Sequence, residues 1–429
     1  MDKFVTKTAK RPAADDGRDT STAKKAKSVE RPESPAVGEC TWEEIGTVLY
    51  MCNFAAPSCG TKTLAKIAAL DLDSTLISTK SGKTFPTDAK DWKFWNECVP
   101  TALRNVVADG YQVVVFSNQS GLSKGRVSAT ELKTKINAIA AQLNMPLRVF
   151  LMSSDDIMRK PRIGAWTLML RHCNLDVDLA NSFYCGDAAG RPKAAGKSKK
   201  DFSCADYKFA LNVGIAFSTP ERFFLKSTLG LHCNPESFEL GHDPRSLLQT
   251  EHAAFQVAST DSQELVVLVG SPASGKSSFC KAYFSTHGRI NQDTLKTLAK
   301  CKAAAQDMLS QGKSVVIDNT NRDIKSRAEW IAMARDHNVP VRAFYLDLPK
   351  ALVFHLKEFR MLTSSDASKP TVPDMVIHGF FKNVQVPTVA EGFASVVHVP
   401  FVPLPHLVAE PSASFVEQDK ALLTSFLLG

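Results

Sequence analysis

The chain has 429 residues, of which 44% are hydrophobic and 22% charged; that is more than one hydrophobic core usually organises, with apolar side chain enough for two. Lys and Arg exceed Asp and Glu by 52 to 44, a balance that favours polyanionic partners without naming one. Global disorder, a disulfide framework and a membrane span are excluded: the ten cysteines are scattered without a C-x-x-C pair, and no apolar run approaches the roughly 18 residues that a span requires. An intracellular, monomeric protein with no membrane association is expected.

Residues 1–40 are rich in Lys, Ala, Asp, Ser and Pro without periodicity, and such a stretch buries too little apolar surface to offset chain entropy. It reads as a disordered tail. Within it Lys10-Arg11 and Lys24-Lys25-Ala26-Lys27 are twelve residues apart, the two-cluster pattern of a nuclear import signal, so a nuclear location is expected. From about Trp42 short apolar runs alternate with helical periods. Lys66–Leu70, Tyr111–Phe116 and Leu147–Leu151 read as buried strands, and Thr130–Leu143 places Leu132, Ile136, Ile139 and Leu143 on one helix face. A further strand, Ser182–Cys185, ends at Gly186-Asp187, and the pattern fades after Leu225. Residues 227–262 read as a connector. A second block, 263–429, opens with the run Glu264–Val269; a helix over Thr294–Leu309 stopped by Gly312, strands Ser314–Ile317 and Val341–Leu346, a helix near Ile324–Arg335 and one from Pro349 follow. Repeated βα units predict an α/β fold with two different doubly wound parallel-sheet domains, 41–226 and 263–429.

Chemistry-bearing residues stand where the strands end. Asp71-Leu72-Asp73-Ser74-Thr75 follows the first strand, and in an open α/β sheet the carboxyl ends of strands line the ligand crevice. Asp71 can act as nucleophile and Mg²⁺ ligand, and Asp73 as proton donor to a leaving alkoxide. Ser117 and Asn118 follow the second strand, Lys160 lies in Arg159-Lys160-Pro161, and Asp187 follows Gly186. A phosphoryl group attacked by a carboxylate needs such a set: donors for its oxygens, and a cation and a metal between the anions.

The second motif is contiguous. Gly270-Ser271-Pro272-Ala273-Ser274-Gly275-Lys276-Ser277 matches G-x-x-x-x-G-K-[ST] directly after an apolar run, which points to ATP or GTP. Its glycines let backbone N–H groups approach phosphate, Lys276 reaches the β/γ-phosphates, and Ser277 can ligate Mg²⁺.

The order D-x-D-x-T, Ser-Asn, Lys-Pro, Gly-Asp resembles the haloacid-dehalogenase-type phosphatases. Gly186–Pro192 and Lys199–Asp206 narrow the resemblance to the eukaryotic polynucleotide kinase 3′-phosphatase family, over about Trp42 to Phe401. That resemblance implies a phosphatase domain over 41–226 and a P-loop kinase domain over 263–429, healing DNA ends by removing a 3′-phosphate and moving the γ-phosphate of ATP to a 5′-hydroxyl; RNA ends are the alternative substrate. It implies further that Asp71 forms an aspartyl-phosphate, that Asp73 is acid and then base, that Ser117, Asn118 and Lys160 bind phosphate, and that Asp71, Asp187 and the carbonyl of Asp73 hold Mg²⁺. In the second domain it implies Asp293 as general base, Asp318–Asn321 as a phosphate-side motif, and Arg360, within Glu358–Met361, as a lid arginine on the transferring phosphate. Two positions depart from the family: Ser74 replaces Gly and Gln292 replaces Arg. Lys193, Lys197, Lys199 and Lys200 offer phosphate contacts beside the first site.

Overall fold

The computed structural model describes residues 35–55, 62–193, 199–228, 233–248, 255–364, 371–402 and 414–429; the two basic clusters of the tail and Lys197 lie outside them. Strands β1 (Val37–Ile45) and β2 (Val48–Phe54) form a hairpin, followed by β3 (Thr63–Leu70), the short pair β4 (Ile77–Ser78) and β5 (Lys93–Phe94), and α1 (Val99–Ala108). Next come β6 (Tyr111–Asn118), α2 (Ala129–Leu143), β7 (Arg148–Met152), α3 (Gly164–His172), β8 (Leu175–Val177), β9 (Phe183–Cys185), α4 (Ala205–Val213), β10 (Ala216–Ser218) and α5 (Pro220–Leu225). The second block holds β11 (Leu265–Val269), α6 (Lys276–Tyr283), β12 (Gly288–Ile290), α7 (Gln292–Leu295), α8 (Leu298–Ser310), β13 (Val315–Ile317) and α9 (Ile324–Asp336). It ends with β14 (Val341–Leu346), α10 (Lys350–Thr363), α11 (Asp374–Asn383), β15 (Ser395–Val399) and α12 (Ser414–Leu423). No described helix is long and apolar enough to cross a membrane.

The first sheet runs β1-β2-β7-β6-β3-β9-β10, with β8 also on β3, and the second β12-β13-β11-β14-β15. Central strands are apolar on both faces because each face has its own core. Ala68, Leu70, Val113, Val115, Val149 and Leu151 pack toward α1 and α2, whereas Ile67, Ala69, Val114, Phe116, Phe150 and Met152 pack toward α3 and α4. Helix α2 starts where Ser128 Oγ accepts from Glu131 N at 3.1 Å while Ser128 N donates to Glu131 Oε2 at 2.9 Å, a reciprocal cap. It stops where Asn144 turns left-handed at φ +46.

Four features differ from the sequence expectation. β1 begins at Val37, inside the stretch read as a tail; as an edge strand rich in Glu and mostly exposed, it carries no apolar alternation to reveal it. The first sheet is not wholly parallel, since β2 pairs antiparallel with both β1 and β7. The helix read over 294–309 is two helices, because Lys296 is left-handed at φ +71 and the Thr297 side chain caps α8 by accepting from Lys300 N at 3.2 Å. Within 227–262, Cys233, Phe238 and Leu247 are buried, so the described part of the connector is packed rather than loose.

The two sheets belong to one compact unit, 34–429. A core of Leu247, Leu352, Val353, Phe359, Ile377, Leu423 and Leu427 covers α10, and the last residues of the chain run back to the first block. Phe426 N donates to Asn212 Oδ1 at 2.9 Å, Asn212 Nδ2 donates to Phe426 O at 2.8 Å, and Lys208 Nζ donates to Leu428 O at 2.8 Å. Arg162 reaches Glu358 Oε2 at 3.0 Å and Leu427 O at 3.2 Å. The boundary read at 263 therefore marks a change of sheet, but not the end of the first block's packing.

Candidate active sites

The sheet order β7-β6-β3-β9 sets the ends of four strands side by side, and the predicted residues of the first site meet there. Lys160 Nζ lies 2.7 Å from Asp71 Oδ1, 2.8 Å from Asp206 Oδ1 and 2.7 Å from the Tyr184 hydroxyl. Its backbone is gripped by Asn118, whose Oδ1 accepts from Lys160 N at 3.0 Å and whose Nδ2 donates to Lys160 O at 3.1 Å. The side chain of Asn118, a residue expected to bind phosphate, thus also holds the lysine loop. Asp73 faces the other way: Gln119 Nε2 donates to Asp73 Oδ2 and to Ser117 Oγ, each at 2.8 Å, and Lys135 Nζ lies 3.2 Å from Asp73 Oδ1. Ser74, which stands where Gly was expected, takes a left-handed φ of +61, so the turn carries the added Cβ at a strain of about 1 kcal/mol.

Asp206 is a site residue that the sequence reading missed. It lies in the first turn of α4 and is buried, with Oδ2 accepting from Ala188 N at 3.0 Å. A side chain at Gly186 would place its Cβ 2.3 Å from Asp206 Oδ2, so the Gly-Asp motif has glycine because the second carboxylate occupies that space. The one signal available in the sequence was an acid on an otherwise apolar helix face with Phe209, Ala210 and Val213.

Carboxylate oxygens of Asp71, Asp187 and Asp206 all lie within 4.8 Å of one another, and Lys160 is the cation bonded among them. Burial drives the Asp71 carboxyl up to about 7, with Lys160 opposing and Asp206 and Asp73 reinforcing. Burial, then Asp71 and Asp206, hold Asp187 well above the usual carboxylate range. Lys160 is kept charged against its own burial by Asp206 and Asp71. Three close carboxylates resist ionising together even with Lys160 bonded to two of them and Arg191 beside Asp187, and the all-oxygen donor set suits a hard divalent cation, which would favour their charged forms. Asp206 joins Asp71 and Asp187 in that set, while the Asp73 side chain stays outside it.

In the second site the loop Gly270–Ser277 joins β11 to α6, with Ala273 at φ +65 and Gly275 at φ +90. Gly275 ends the loop where α6 presents its free N–H groups, the ordinary setting for a phosphate. Lys276 Nζ donates to the carbonyls of Gly270 and Ser271 at 3.0 and 2.8 Å. Burial lowers its pKa to about 8, opposed by Asp318 and Asp293. Ser271 Oγ and Ser274 Oγ are buried without a protein partner, as hydroxyls waiting for a ligand would be. Ser277 is exposed at the start of α6. Asp318 pairs with Arg289 Nε at 2.8 Å, and Asn319 Oδ1 accepts from Gln292 N at 2.9 Å, so β12, β13 and α7 are tied beside the loop. Asp293, on α7, is exposed. Arg360 is exposed near the end of α10, and no described hydrogen bond or ion pair joins it to the loop; its neighbours Glu358 and Phe359 are buried against Arg162 and the α10 core.

The family model for polynucleotide kinase 3 phosphatase matches residues 66–224, and an AAA domain model matches 265–378. The bifunctional polynucleotide phosphatase/kinase of Schizosaccharomyces pombe is 39% identical over 343 residues, 79% of this chain and 81% of that one. A putative bifunctional polynucleotide phosphatase/kinase of Acanthamoeba polyphaga mimivirus is 34% identical over 364 residues, 78% of this chain and 85% of that one. The polynucleotide 3′-phosphatase of Arabidopsis thaliana is 34% identical over 203 residues, 44% of this chain and 27% of that one. With the carboxylate cluster in one matched region and the phosphate loop in the other, the chain belongs to the bifunctional polynucleotide phosphatase/kinase family.

Proposed function

We propose that this enzyme heals DNA ends, hydrolysing 3′-phosphates at the Asp71 site and transferring the γ-phosphate of ATP to 5′-hydroxyls at the Lys276 site. The observation that carries the reading is the Lys160 bridge between Asp71 and Asp206, which presents one Asp71 oxygen beside a fixed cation. Asp71 attacks phosphorus as the bond to the sugar oxygen breaks, Asp73 gives that oxygen a proton, and Lys160 and the Ser117 hydroxyl meet charge on the phosphoryl oxygens. Water then cleaves the aspartyl-phosphate, with Asp73 taking its proton. Mg²⁺ held by Asp71, Asp187 and Asp206 would neutralise the cluster and orient the phosphate. At the second site Lys276 leaves its two carbonyls for ATP phosphates and Asp293 takes the proton of the acceptor hydroxyl, while Ser277 would be a ligand of Mg²⁺, which would neutralise phosphate charge there. Lys193, Lys199 and Lys200, exposed near Asp187, supply phosphate contacts that do not read sequence.

A duplex bearing both a 3′-phosphate and a 5′-hydroxyl, offered with labelled ATP, tests the proposal at both ends. Loss of the 3′-phosphate without ATP and gain of label at the 5′ end are expected. Faster turnover of matched RNA ends would move the substrate to RNA. We further propose that the clusters at Lys10-Arg11 and Lys24–Lys27 direct the enzyme to the nucleus, where strand breaks arise. Deleting them should leave both activities intact and abolish nuclear accumulation; unchanged accumulation would refute this location signal.

A further inference from the structure

Lys135 stands on the core-facing side of α2, among Leu132, Ile136 and Ile139, and is 5% exposed. A lysine in that position must give up hydration, which costs several kcal/mol unless a counter-charge repays it. The counter-charge the structure provides is Asp73, 3.2 Å away. Asp73 itself has a half-exposed side chain, 52%, so nothing in its packing fixes its carboxyl plane. Two donors do: Lys135 on Oδ1, and Gln119 on Oδ2. Gln119 is anchored in turn, its backbone N donating to Met152 O at 2.8 Å and its side chain holding Ser117 Oγ. One amide therefore sets the spacing between the phosphate-binding hydroxyl and the proposed acid, and one buried ammonium sets that acid's rotation.

We propose that Lys135 and Gln119 are positioning residues that aim Asp73 at the leaving oxygen of the 3′-phosphate. The inference rests on the reading of Asp73 as general acid. In the step concerned Asp73, held as a carboxylate by its two donors, has first taken up a proton from solvent; the Asp71 oxygen then bonds to phosphorus, the bond from phosphorus to the sugar oxygen breaks, and that proton moves from Asp73 to the sugar oxygen. An alkoxide cannot leave without the proton; a nitrophenolate can. Misaiming Asp73 therefore slows release of a sugar hydroxyl and spares release of nitrophenol, a signature that general loosening of the fold does not produce.

The test uses the full chain and follows leaving group released in the first turnover, before hydrolysis of the aspartyl-phosphate enters. The probes are a 3′-phosphorylated oligonucleotide and p-nitrophenyl phosphate. Lys135→Met, which keeps length and suits the apolar face, should slow the oligonucleotide about tenfold to a hundredfold, the scale of a misplacement of about 1 Å. It should change p-nitrophenyl phosphate less than about threefold and leave the oligonucleotide KM unaltered, and Lys135→Arg should recover most of the loss. Equal losses on both probes, or no loss on either, would overturn the proposal. If Lys135→Met does not fold, Gln119→Met is read by the same ratio of the two probes. Asp73→Asn separates the two layers: equal losses on both probes in that variant would remove Asp73 from its role as acid, whereas selective loss there without selective loss in Lys135→Met or Gln119→Met would sink the positioning claim alone.

Discussion

The two candidate sites hold their buried lysines in opposite ways. Lys160 is saturated by charge, held by Asp71, Asp206 and Tyr184, and its neighbourhood remains short of positive charge. Lys276 is held by two backbone carbonyls, with burial weakening its grip on the proton. On the proposed reading the first arrangement accepts a metal and a dianionic ester into a cluster that already contains the nucleophile. On the same reading the second surrenders weak neutral contacts to a polyphosphate, and none of the residues proposed for it acts as a nucleophile. That contrast is what the proposed reading uses, hydrolysis through a covalent intermediate at the first site and transfer to a separate acceptor at the second.

Separate chemistries should be separable by single substitutions. Asp71→Asn keeps the side chain's size but removes the attacking oxygen's charge, so 3′-phosphatase activity should fall roughly a thousandfold or more, with kinase activity within about twofold. Lys276→Ala should lower kinase activity about a hundredfold, the usual scale for removing one charge that meets the transferring phosphate, and leave the phosphatase independent of ATP. Assays of both purified variants on the doubly blocked duplex check this, and loss of both activities in either folded variant would mean that the sites are not independent.

Chemical independence need not bring independent stability, because Arg162 and Glu358 join the blocks as a pair only 4% and 10% exposed. Glu358→Gln strips the charge that faces Arg162 while Asp155 still holds the guanidinium at 2.8 Å. A loss of about 2–3 kcal/mol is expected, seen as a lower melting temperature with both activities inactivating together on heating. Separate inactivation would show that the shared packing does not couple the blocks.

His355 sharpens the same point. It is buried on α10 with Nε2 2.7 Å from Leu423 O, and burial lowers its pKa to about 4, with His242 and Lys208 adding to the effect and Leu423 opposing it. Below its ordinary pKa of about 6.5 the unfolded chain takes up a proton that the fold excludes, so stability falls as pH drops from about 6.5 to 4 and is fully present above that window. The loss from this residue is up to about 3 kcal/mol. Urea midpoints between pH 7 and 4.5 should slope less in His355→Phe than in the natural chain; parallel slopes would remove His355 as the cause.

What could be read from the chain alone was whatever is local. The loop Gly270–Ser277 is contiguous, so its motif is legible without the fold; Asp71, Ser117 and Asp187 each mark a strand end that apolar runs reveal, and Lys160 lies in the loop after β7. β1 escaped because an exposed edge strand has no buried face to leave a period. The break at Lys296 escaped because α7 and α8 share a helical period across it. Asp206, Lys135 and Gln119 could not be assigned from spacing, since their roles depend on which side chains meet across α2, α4 and the ends of β3 and β6. Only tertiary structure showed the Asn118 side chain as the clamp on Lys160. It alone brought residues 426–428 back onto α4, because a hydrogen bond between Asn212 and Phe426 spans 214 positions and leaves no trace in local composition. Sequence determines chemistry where the groups are neighbours along the chain; where charge must be balanced between distant elements, packing decides which groups are close enough to balance it.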